Sequence, residues 1–348
     1  MGERIGARLD GELVRRGLAR SRGHAAELLA AGRVTRDGAV VTKPSTAVGP
    51  TDGIEVTVDP GDPGYASRAA FKLAGVLDAL GAPGALDALG SLDTLEGPRT
   101  PGSDGAGSDA GHLPRGPVVD GARCLDLGAS TGGFTDVLLR RGAREVVAVD
   151  VGHDQLVARL RADPRVVVHE GLNVRALTPE HVGSVPDLVV GDLSFISLET
   201  VLPAVAGVVG PGTDLLLLVK PQFEVGRERL GSGGVVRDPA LHVEVVTAVA
   251  RHAERVGLRA LAVVPSPLPG PSGNREYFWW LRAGDPRRSD EAAPDAARRA
   301  ALHAAAERAV AWPPSPDGGA PPVVAVAAPA HAGASGTELD PPLTGGAP

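Results

Sequence analysis

Lysine is scarce in this chain, and its few positions indicate where the chemistry needs an amine. Of the 35 basic residues, only Lys43, Lys72 and Lys220 are lysines. Arginine can replace lysine as a surface charge, but it cannot lose its proton or act as a compact point charge. Lys72 lies in the string SRAAFKL and Lys220 in LLLLVKPQF. These two lysines are therefore candidates for a role that arginine cannot fill, although chance retention in an arginine-rich chain is an alternative.

A glycine-rich turn in LDLGASTGGFTDVLL is the second chemical signal. Its spacing is GxxxGG, whereas the turn that holds a dinucleotide pyrophosphate is GxGxxG. Asp126 precedes the turn, and Asp150 ends the next apolar string, where a ribose diol is usually held. This set favours S-adenosylmethionine, which carries positive charge and a ribose but no phosphate. Another nucleotide-binding turn, or purely structural glycines, remains an alternative. The candidate cofactor-binding residues are Asp126, Gly128, Ser130, Gly132, Gly133, Asp150, Asn173 and Asp192.

Apolar strings alternate with helical patterns through residues 121–284. In chain order the strings are ARCLDLGAS, EVVAVDV, RVVVHEGL, PDLVVGDLSF, DLLLLVKPQF, RALAVVPSPL and EYFWWLRA. Strands interleaved with helices are typical of an open parallel α/β sheet. The last two strings, joined by a loop rich in Pro and Gly, predict an antiparallel pair that closes the sheet.

Two other stretches lack sustained periodicity. Residues 81–120 and 285–348 contain much of the chain's glycine and proline. We expect a disordered insertion at 81–120 and a disordered tail at 285–348, with one weak helix at 298–311. Residues 61–80 are expected to form a linker and the start of the main domain.

Residues 1–60 predict a small separate domain. Two short helices, the second starting after Ser21 and ending at Gly32, precede a hairpin around Asp37 and Gly38. Residues 1–43 hold nine basic and five acidic residues, whereas the whole chain has a net charge of −7. Clustered positive charge on a small domain indicates nucleic-acid binding, although a solvated helix face is an alternative. The candidate RNA-binding residues are Arg4, Arg8, Arg15, Arg16, Arg20, Arg22, Arg33 and Lys43.

Composition excludes several classes of protein. The single cysteine excludes an internal disulfide and fits a reducing compartment. No apolar run approaches the roughly 18 residues of a membrane helix, and the charged N-terminus lacks the apolar region of a signal peptide. We therefore expect a cytoplasmic protein with no membrane partner, and we predict no metal site.

The pattern RLDxxLVRRGLARSRxxAxxLLxxGRVxxDG resembles the ribosomal protein S-four-type RNA-binding domain. Residues 66–284 resemble the TlyA (hemolysin A) family, which is related to the FtsJ-type rRNA 2′-O-methyltransferases. The strings that carry this second resemblance are SRAAFKL, LDLGASTGGFTDVLL, VVAVDVGHDQL, GDLSFISL, LLVKPQFEVGRERLGSGGVVRDP and SGNREYFWWL. The resemblance implies a Rossmann-like, class I S-adenosylmethionine-dependent methyltransferase preceded by a small α/β RNA-binding domain.

The resemblance also implies a catalytic tetrad and a substrate. By motif, the tetrad consists of Lys72, Asp192, Lys220 and Glu276. The implied reaction is 2′-O-methylation of cytidine in ribosomal RNA of one or both subunits. A ribose hydroxyl is a poor nucleophile, so positioning and a proton acceptor are both needed. A lysine buried beside another cation can accept a proton. Lys220 is the candidate base or hydroxyl-orienting group, with Lys72 as the second positive charge.

Other reactions fit the strings less well. Base N-methylation favours an NPPY-like string after the fourth strand, where this chain has DLSF. Base C5-methylation needs a nucleophilic cysteine, and the only one, Cys124, lies within the first predicted strand and is expected to be buried. A membrane-lytic protein needs an amphipathic or membrane-length segment. A ribosome-associated factor without catalysis remains an alternative.

Overall fold

The computed structural model describes residues 7–20, 22–57, 63–82, 85, 116–231, 233–270, 272–284, 296–313 and 320–326. The strands are β1 (Ala7–Arg8), β2 (Val34–Arg36), β3 (Ala39–Val40), β4 (Ala47–Val48), β5 (Ile54–Val56), β6 (Arg123–Leu127), β7 (Glu145–Val149), β8 (Val166–His169), β9 (Leu188–Gly191), β10 (Asp214–Val219), β11 (Leu258–Pro265), β12 (Tyr277–Ala283) and β13 (Val324–Ala325). The helices are α1 (Leu9–Arg15), α2 (Arg22–Ala30), α3 (Ala69–Gly81), α4 (Gly133–Arg140), α5 (Ala158–Arg161), α6 (Pro179–Val182), α7 (Leu198–Ala206), α8 (Pro221–Glu224), α9 (Pro239–Arg255) and α10 (Ala296–Ala311).

An eight-stranded sheet forms the main domain, and its order is β13-β11-β12-β10-β9-β6-β7-β8. Strands β6 to β10 pair in parallel, whereas β12 is antiparallel to both β10 and β11. The predicted α/β fold and the antiparallel final pair are confirmed. Every residue of β6 and β10 is buried, because helices cover both faces of the sheet.

The expectation of a disordered tail from residue 285 is wrong for its central part. Helix α10 packs on α9 and β11, and β13 pairs antiparallel with β11 at the sheet edge. Leu302, Ala305 and Ala309 are fully buried in this packing. The weak helix predicted at 298–311 is confirmed as part of α10, but its packing was not predicted, because small alanine side chains produce little amphipathic contrast and yet let helices approach closely. The predicted insertion at 81–120 lies almost entirely outside the described residues.

The N-terminal domain has its own core beneath α1 and α2. Leu9, Leu13 and Leu29 are fully buried in it. The predicted hairpin joins β2 to β3, and Asp37 and Gly38 both have positive φ, as its tight turn requires. The expected cap Ser21 lies outside the described residues. Among the described residues, no helix is long and apolar enough to cross a membrane.

Helix α3 fastens the N-terminal side of the main domain to the sheet. A Cβ on Gly75 would lie 2.8 Å from Cγ of Pro267, in the loop between β11 and β12. A Cβ on Gly133 would overlap Oγ of Ser67, just before α3. These two glycines allow α3 to lie close to both α4 and the β11–β12 loop. Lys72 is thereby brought to the sheet edge that carries the other candidate residues.

Candidate active site at the carboxyl ends of the sheet

Four predicted acidic and basic residues meet at the carboxyl ends of the parallel strands. Asp126 lies in β6, while Asp150, Asp192 and Lys220 immediately follow β7, β9 and β10. Because β6 has β7 on one side and β9 on the other, the chain changes direction there and leaves a crevice for a ligand.

The glycine-rich turn lies against the residue that follows β9. Gly128 has a φ of +81°, and a Cβ there would lie 3.0 Å from the carbonyl oxygen of Asp192. Gly132 has a φ of +95°, and a Cβ there would overlap Leu160. Both positions therefore require glycine, and the exposed backbone of the turn can approach a bound molecule.

Asp150 fixes the shape of this turn. Its Oδ2 accepts a hydrogen bond from the backbone N–H of Ser130 at 2.8 Å, and its Oδ1 accepts one from Gly152 at 2.7 Å. Ser130 itself has a φ of +46°. A carboxylate has about four lone-pair positions, so Asp150 retains acceptor capacity for a ribose diol. The pocket beside it is lined by Ala129, Ser130, Asp150, Leu156, His169 and Glu170, among others.

Asp126 is a fully buried carboxyl group. Its Oδ2 accepts a hydrogen bond from Oγ1 of Thr135 at 2.7 Å, whereas its buried Oδ1 has no hydrogen-bond partner among the described residues. Burial raises the pKa of Asp126 to about 7, and the nearby Asp192 adds to this effect. The unsatisfied oxygen is an acceptor that suits a cationic or N–H-bearing ligand.

Asn173 lies next to this region but is occupied locally. Its Oδ1 accepts a hydrogen bond from the backbone N–H of Arg175 at 3.0 Å and caps a short 3-10 helix, Val174–Ala176. The adjoining Leu172 donates its backbone N–H to the carbonyl oxygen of Asp150. The backbone hydrogen bond of Leu172 therefore holds Asn173 near the glycine-rich turn. The Asn173 side chain itself shapes the loop after β8.

Lys220 and Asp192 form the first of two ion pairs. Nζ of Lys220 lies 2.6 Å from Oδ1 of Asp192 and donates a hydrogen bond to Oγ of Ser194 at 2.8 Å. The Lys220 side chain is 9% exposed and that of Asp192 is 15% exposed. This pair bridges the ends of the neighbouring strands β9 and β10.

Lys72 and Glu276 form the second ion pair, which is more deeply buried. Nζ of Lys72 lies 2.5 Å from Oε2 of Glu276, although the two residues are 204 positions apart. Nε2 of Gln222 donates to Oε1 of Glu276 at 3.4 Å. Gln222 is two residues after Lys220, so it connects the two pairs. The structure thus brings all four predicted tetrad residues to one edge of the sheet.

Comparison with known proteins assigns the family. The FtsJ-like methyltransferase family model matches residues 108–283, and the S4 domain model matches residues 7–54. A Mycobacterium tuberculosis protein named 16S/23S rRNA (cytidine-2′-O)-methyltransferase TlyA is 50% identical over 295 residues, which cover 84% of this chain and 97% of that protein. The chain belongs to the TlyA family of FtsJ-like methyltransferases.

Two further relatives carry another name. Hemolysin A of Brachyspira hyodysenteriae is 32% identical over 272 residues, covering 78% of this chain and 98% of that protein. A solved structure from Streptococcus thermophilus, also named as a hemolysin, is 29% identical with a TM-score of 0.60, covering 88% of this chain and 96% of that one. As a TlyA-family member, the chain is an S-adenosylmethionine-dependent methyltransferase.

The candidate RNA-binding residues of this TlyA-family chain differ in how they are held. Arg8 is paired with Asp10, and Arg15 is paired with Glu12. Arg16 is paired with Glu12 as well, and its guanidinium also donates to backbone carbonyls at 49, 50 and 52. Arg15 and Arg16 lower the pKa of Glu12 to about 2. These three arginines are therefore partly neutralised within the domain.

The remaining basic candidates divide into anchored and accessible side chains. Arg20 donates to the carbonyl oxygen of Tyr65 at 3.1 Å, and Arg33 donates to that of Thr57. Arg22 and Lys43 are exposed, and neither is hydrogen-bonded to a carboxylate among the described residues. Arg4 lies outside the described residues. Arg22 and Lys43 are the side chains best placed to reach a phosphate.

Three site features were absent from the sequence reasoning. Ser194 contacts Lys220, Gln222 contacts Glu276, and the buried Asn274 bonds the backbone at both Val236 and Gly234. The strings DLSF, KPQF and SGNREYF contain all three, so each stands within two residues of a tetrad member. Cys124 is fully buried as expected, and burial raises the pKa of its thiol to about 12, which excludes a thiolate nucleophile near neutral pH.

Proposed function

We propose that this chain transfers a methyl group from S-adenosylmethionine to the ribose 2′-hydroxyl of a cytidine in ribosomal RNA. The observation that carries the proposal is the pair of lysine–carboxylate contacts, Lys72 with Glu276 and Lys220 with Asp192, joined through Gln222. They lie beside the glycine-rich turn of a methyltransferase. The related M. tuberculosis protein is named for cytidine 2′-O-methylation of both 16S and 23S rRNA.

The residues around the turn fit the cofactor. Gly128 and Gly132 leave the backbone open to a ligand, and Asp150 retains acceptor positions for the ribose diol. The unsatisfied Oδ1 of Asp126 suits a positively charged or N–H-bearing group. Asp126, Gly128, Ser130, Gly132, Gly133, Asp150, Asn173 and Asp192 remain the proposed cofactor-binding set. The bound cofactor supplies an electrophilic methyl group on a positively charged sulfur.

Lys220 orients the acceptor hydroxyl in this proposal. The sequence argument required a lysine beside another cation, but each lysine faces a carboxylate instead. The Lys220 side chain then offers three N–H donors, and Ser194 accepts one of them among the described contacts, whereas Oδ1 of Asp192 lies 2.6 Å from Nζ as an ion-pair partner without a hydrogen bond. A remaining N–H can be directed at the lone pair of a ribose oxygen.

Asp192 accepts the hydroxyl proton as the new carbon–oxygen bond forms. Its carboxylate lies beside the ammonium of Lys220, at the same point where the hydroxyl must be held. Glu276 and Lys72 form the more buried pair and maintain the wall of the site through Gln222. In this proposal, Lys220 therefore positions the ribose hydroxyl and Asp192 accepts its proton.

The N-terminal domain delivers the RNA in this proposal. The S4 domain model matches residues 7–54 of this domain. The side chains of Arg22 and Lys43 are exposed and can contact phosphate groups. In this proposal, a ribosomal RNA substrate implies a cytoplasmic location. The proposed chemistry uses neither a metal ion nor a membrane, and no group of three or more potential metal ligands occurs among the described residues.

Methyl transfer to isolated ribosomal subunits tests this function. The purified protein and tritiated S-adenosylmethionine are incubated with each subunit, and the labelled nucleotide is then mapped. We expect label on a ribose 2′-oxygen of cytidine, and we expect Asp192→Asn to abolish it. Label on a base, or equal labelling by the Asp192→Asn protein, would contradict the proposal. A folded protein that binds the cofactor but labels neither subunit would point to a non-catalytic ribosome-associated factor.

A further inference from the structure

Arg275 stands directly before the catalytic candidate Glu276 and reaches the C-terminal helix. Its Nη1 donates to the carbonyl oxygen of Val310 at 2.8 Å, and its Nη2 donates to that of Trp312 at 2.5 Å. These carbonyls belong to the last turn of α10 and the residue just after it. Neither Arg275 nor α10 was assigned any role by motif or composition.

This contact has the chemistry of a helix cap. The last carbonyls of a helix lack partners within the helix, and positive charge is favourable at that end. The planar guanidinium of Arg275 satisfies two such carbonyls at once, which a lysine ammonium does with less geometric control. Arg275 therefore fastens the end of α10 to the segment that leads into β12.

The side chains of this segment alternate between the two faces of the sheet. Glu276 points toward α3 and contacts Lys72, whereas Tyr277 points toward α9, where its hydroxyl lies 3.1 Å from Nδ1 of His242. Arg275 lies on the same face as Tyr277, with its guanidinium 5.7 Å from the tyrosine ring centroid. A displacement of Arg275 on one face thus moves Glu276 on the other.

Helix α10 is itself firmly held, so it can act as a support. Near its N-terminal end, Arg298 donates to Oε1 of Glu254 at 2.9 Å and to the carbonyl oxygen of Ala260 at 2.5 Å. Its middle buries Leu302 and Ala305 against α9 and β11. Besides the side-chain contacts of Glu276 with Lys72 and Gln222, its carbonyl oxygen accepts a hydrogen bond from the backbone N–H of Ser266 at 2.8 Å.

We infer that Arg275 is a positioning residue that uses α10 as a fixed support to hold Glu276, and through it Lys72, in the catalytic arrangement. The inference rests on the proposed function for its effect on catalysis. It also makes a prediction about Lys72 that does not depend on catalysis. In this view only the C-terminal end of α10 supports the active-site segment, although this helix lies beyond the residues matched by the methyltransferase family model.

Two arginine substitutions, each removing one contact of α10 with another element, separate positioning from simple stability. Arg275→Ala removes the contact to the active-site segment. The matched control is Arg308→Ala, since Nη2 of Arg308 donates to the carbonyl oxygen of Ala325 at 2.9 Å and fastens α10 to β13 instead. Single-turnover methylation at saturating cofactor and RNA, cofactor affinity and melting temperature are measured for both proteins.

We expect Arg275→Ala to slow single-turnover methylation by about 10- to 100-fold, the scale expected for misplaced catalytic groups. Cofactor affinity and the KM for RNA should stay close to wild type. The Arg308→Ala protein should methylate RNA at the wild-type rate, even if its melting temperature falls as much as that of the Arg275→Ala protein. Equal rates for the two variants, or a loss in Arg275→Ala that appears only in KM, would overturn the inference.

The three lysines allow a second readout without catalysis. Limited acetylation with an N-hydroxysuccinimide ester, followed by mass spectrometry, reports the reactivity of Lys72 against the exposed Lys43 as internal reference. We expect Lys72 to react several-fold faster in Arg275→Ala than in wild type or Arg308→Ala. Unchanged Lys72 reactivity would overturn the inference. If wild type methylates no RNA while Lys72 reactivity still changes, the proposed function fails and the positioning role stands.

Discussion

Nζ of Lys220 lies 2.6 Å from Oδ1 of Asp192, and this contact joins the ends of two adjacent parallel strands. Each residue begins the loop after its strand, so the distance between them is set by the sheet and not by a flexible loop. Ser194 adds a third atom, 2.8 Å from the same ammonium. This narrow position therefore requires lysine itself, and another basic residue does not meet the requirement.

The first prediction concerns that restriction. Lys220→Arg keeps the positive charge, but its planar guanidinium is larger than the ammonium that fits between Asp192 and Ser194. We expect Lys220→Arg and Lys220→Ala to lose a similar factor in single-turnover methylation, about 100-fold, with cofactor affinity unchanged. An arginine variant near the wild-type rate would show that charge alone is required.

The second prediction concerns the cofactor. Asp150→Ala removes the acceptor of the ribose diol and the anchor of the glycine-rich turn, so isothermal titration should show S-adenosylmethionine binding weakened by about tenfold or more. Asp163→Ala is the matched control, because Asp163 pairs with Arg165 at the amino-terminal edge of the sheet. Unchanged affinity in a folded Asp150→Ala protein would place the cofactor elsewhere.

The third prediction concerns RNA recognition. Arg22→Ala and Lys43→Ala should each reduce the slope of log affinity against log salt by about 1, since each removes one phosphate contact. Arg16→Ala should instead lower the stability of the N-terminal domain, because Arg16 holds Glu12 and three backbone carbonyls. A salt slope unaffected by the first two changes would mean that RNA contacts other side chains.

The fourth prediction concerns the C-terminal segment. Deleting residues 296–348 removes α10 and exposes the apolar surface that Leu302 covers, and burial of a single leucine side chain is worth about 1.5–3 kcal/mol. We expect urea unfolding to show at least that loss. Deleting residues 327–348 should leave the unfolding free energy unchanged. Equal stability of both deletions would show that α10 contributes nothing to the core.

The fifth prediction concerns pH. Burial raises the pKa of Asp126 from an ordinary value of 3.8 to about 7, so between these values the folded protein binds a proton that the unfolded chain has released. The free energy of unfolding must therefore fall as pH rises from about 4 to about 7, and this contribution stays constant above that range. Asp126→Asn removes the titrating group.

Urea unfolding of wild type and Asp126→Asn at intervals from pH 5 to pH 8 checks this prediction. The stability of wild type relative to the variant should decline up to about pH 7 and then level off. Because every other group is shared, a constant difference across the range would mean that Asp126 does not titrate there.

The family, the α/β fold class with its final antiparallel pair, and the candidate chemical groups can all be predicted from the sequence alone. Scarcity marked Lys72 and Lys220, because arginine occupies nearly every other basic position. The glycine spacing marked the turn and the acidic residue that ends the next apolar string marked Asp150, whereas Asp192 was assigned by the family resemblance. These signals are local, because each depends on a residue type at a fixed distance from a strand end. A local pattern can be recognised in the sequence without knowledge of the fold.

Which of these groups lie in contact depends on the tertiary structure. Lys72 pairs with Glu276 across 204 positions because α3 packs against the β11–β12 loop, and no spacing rule contains that contact. The structure also placed Arg16 on backbone carbonyls and Arg275 on the end of α10. Composition predicted a weak helix at 298–311 but not its burial, because an alanine-rich helix carries little periodic contrast. Its burial depends on the surface of α9 and β11 that it covers, and that surface exists only once the sheet has formed.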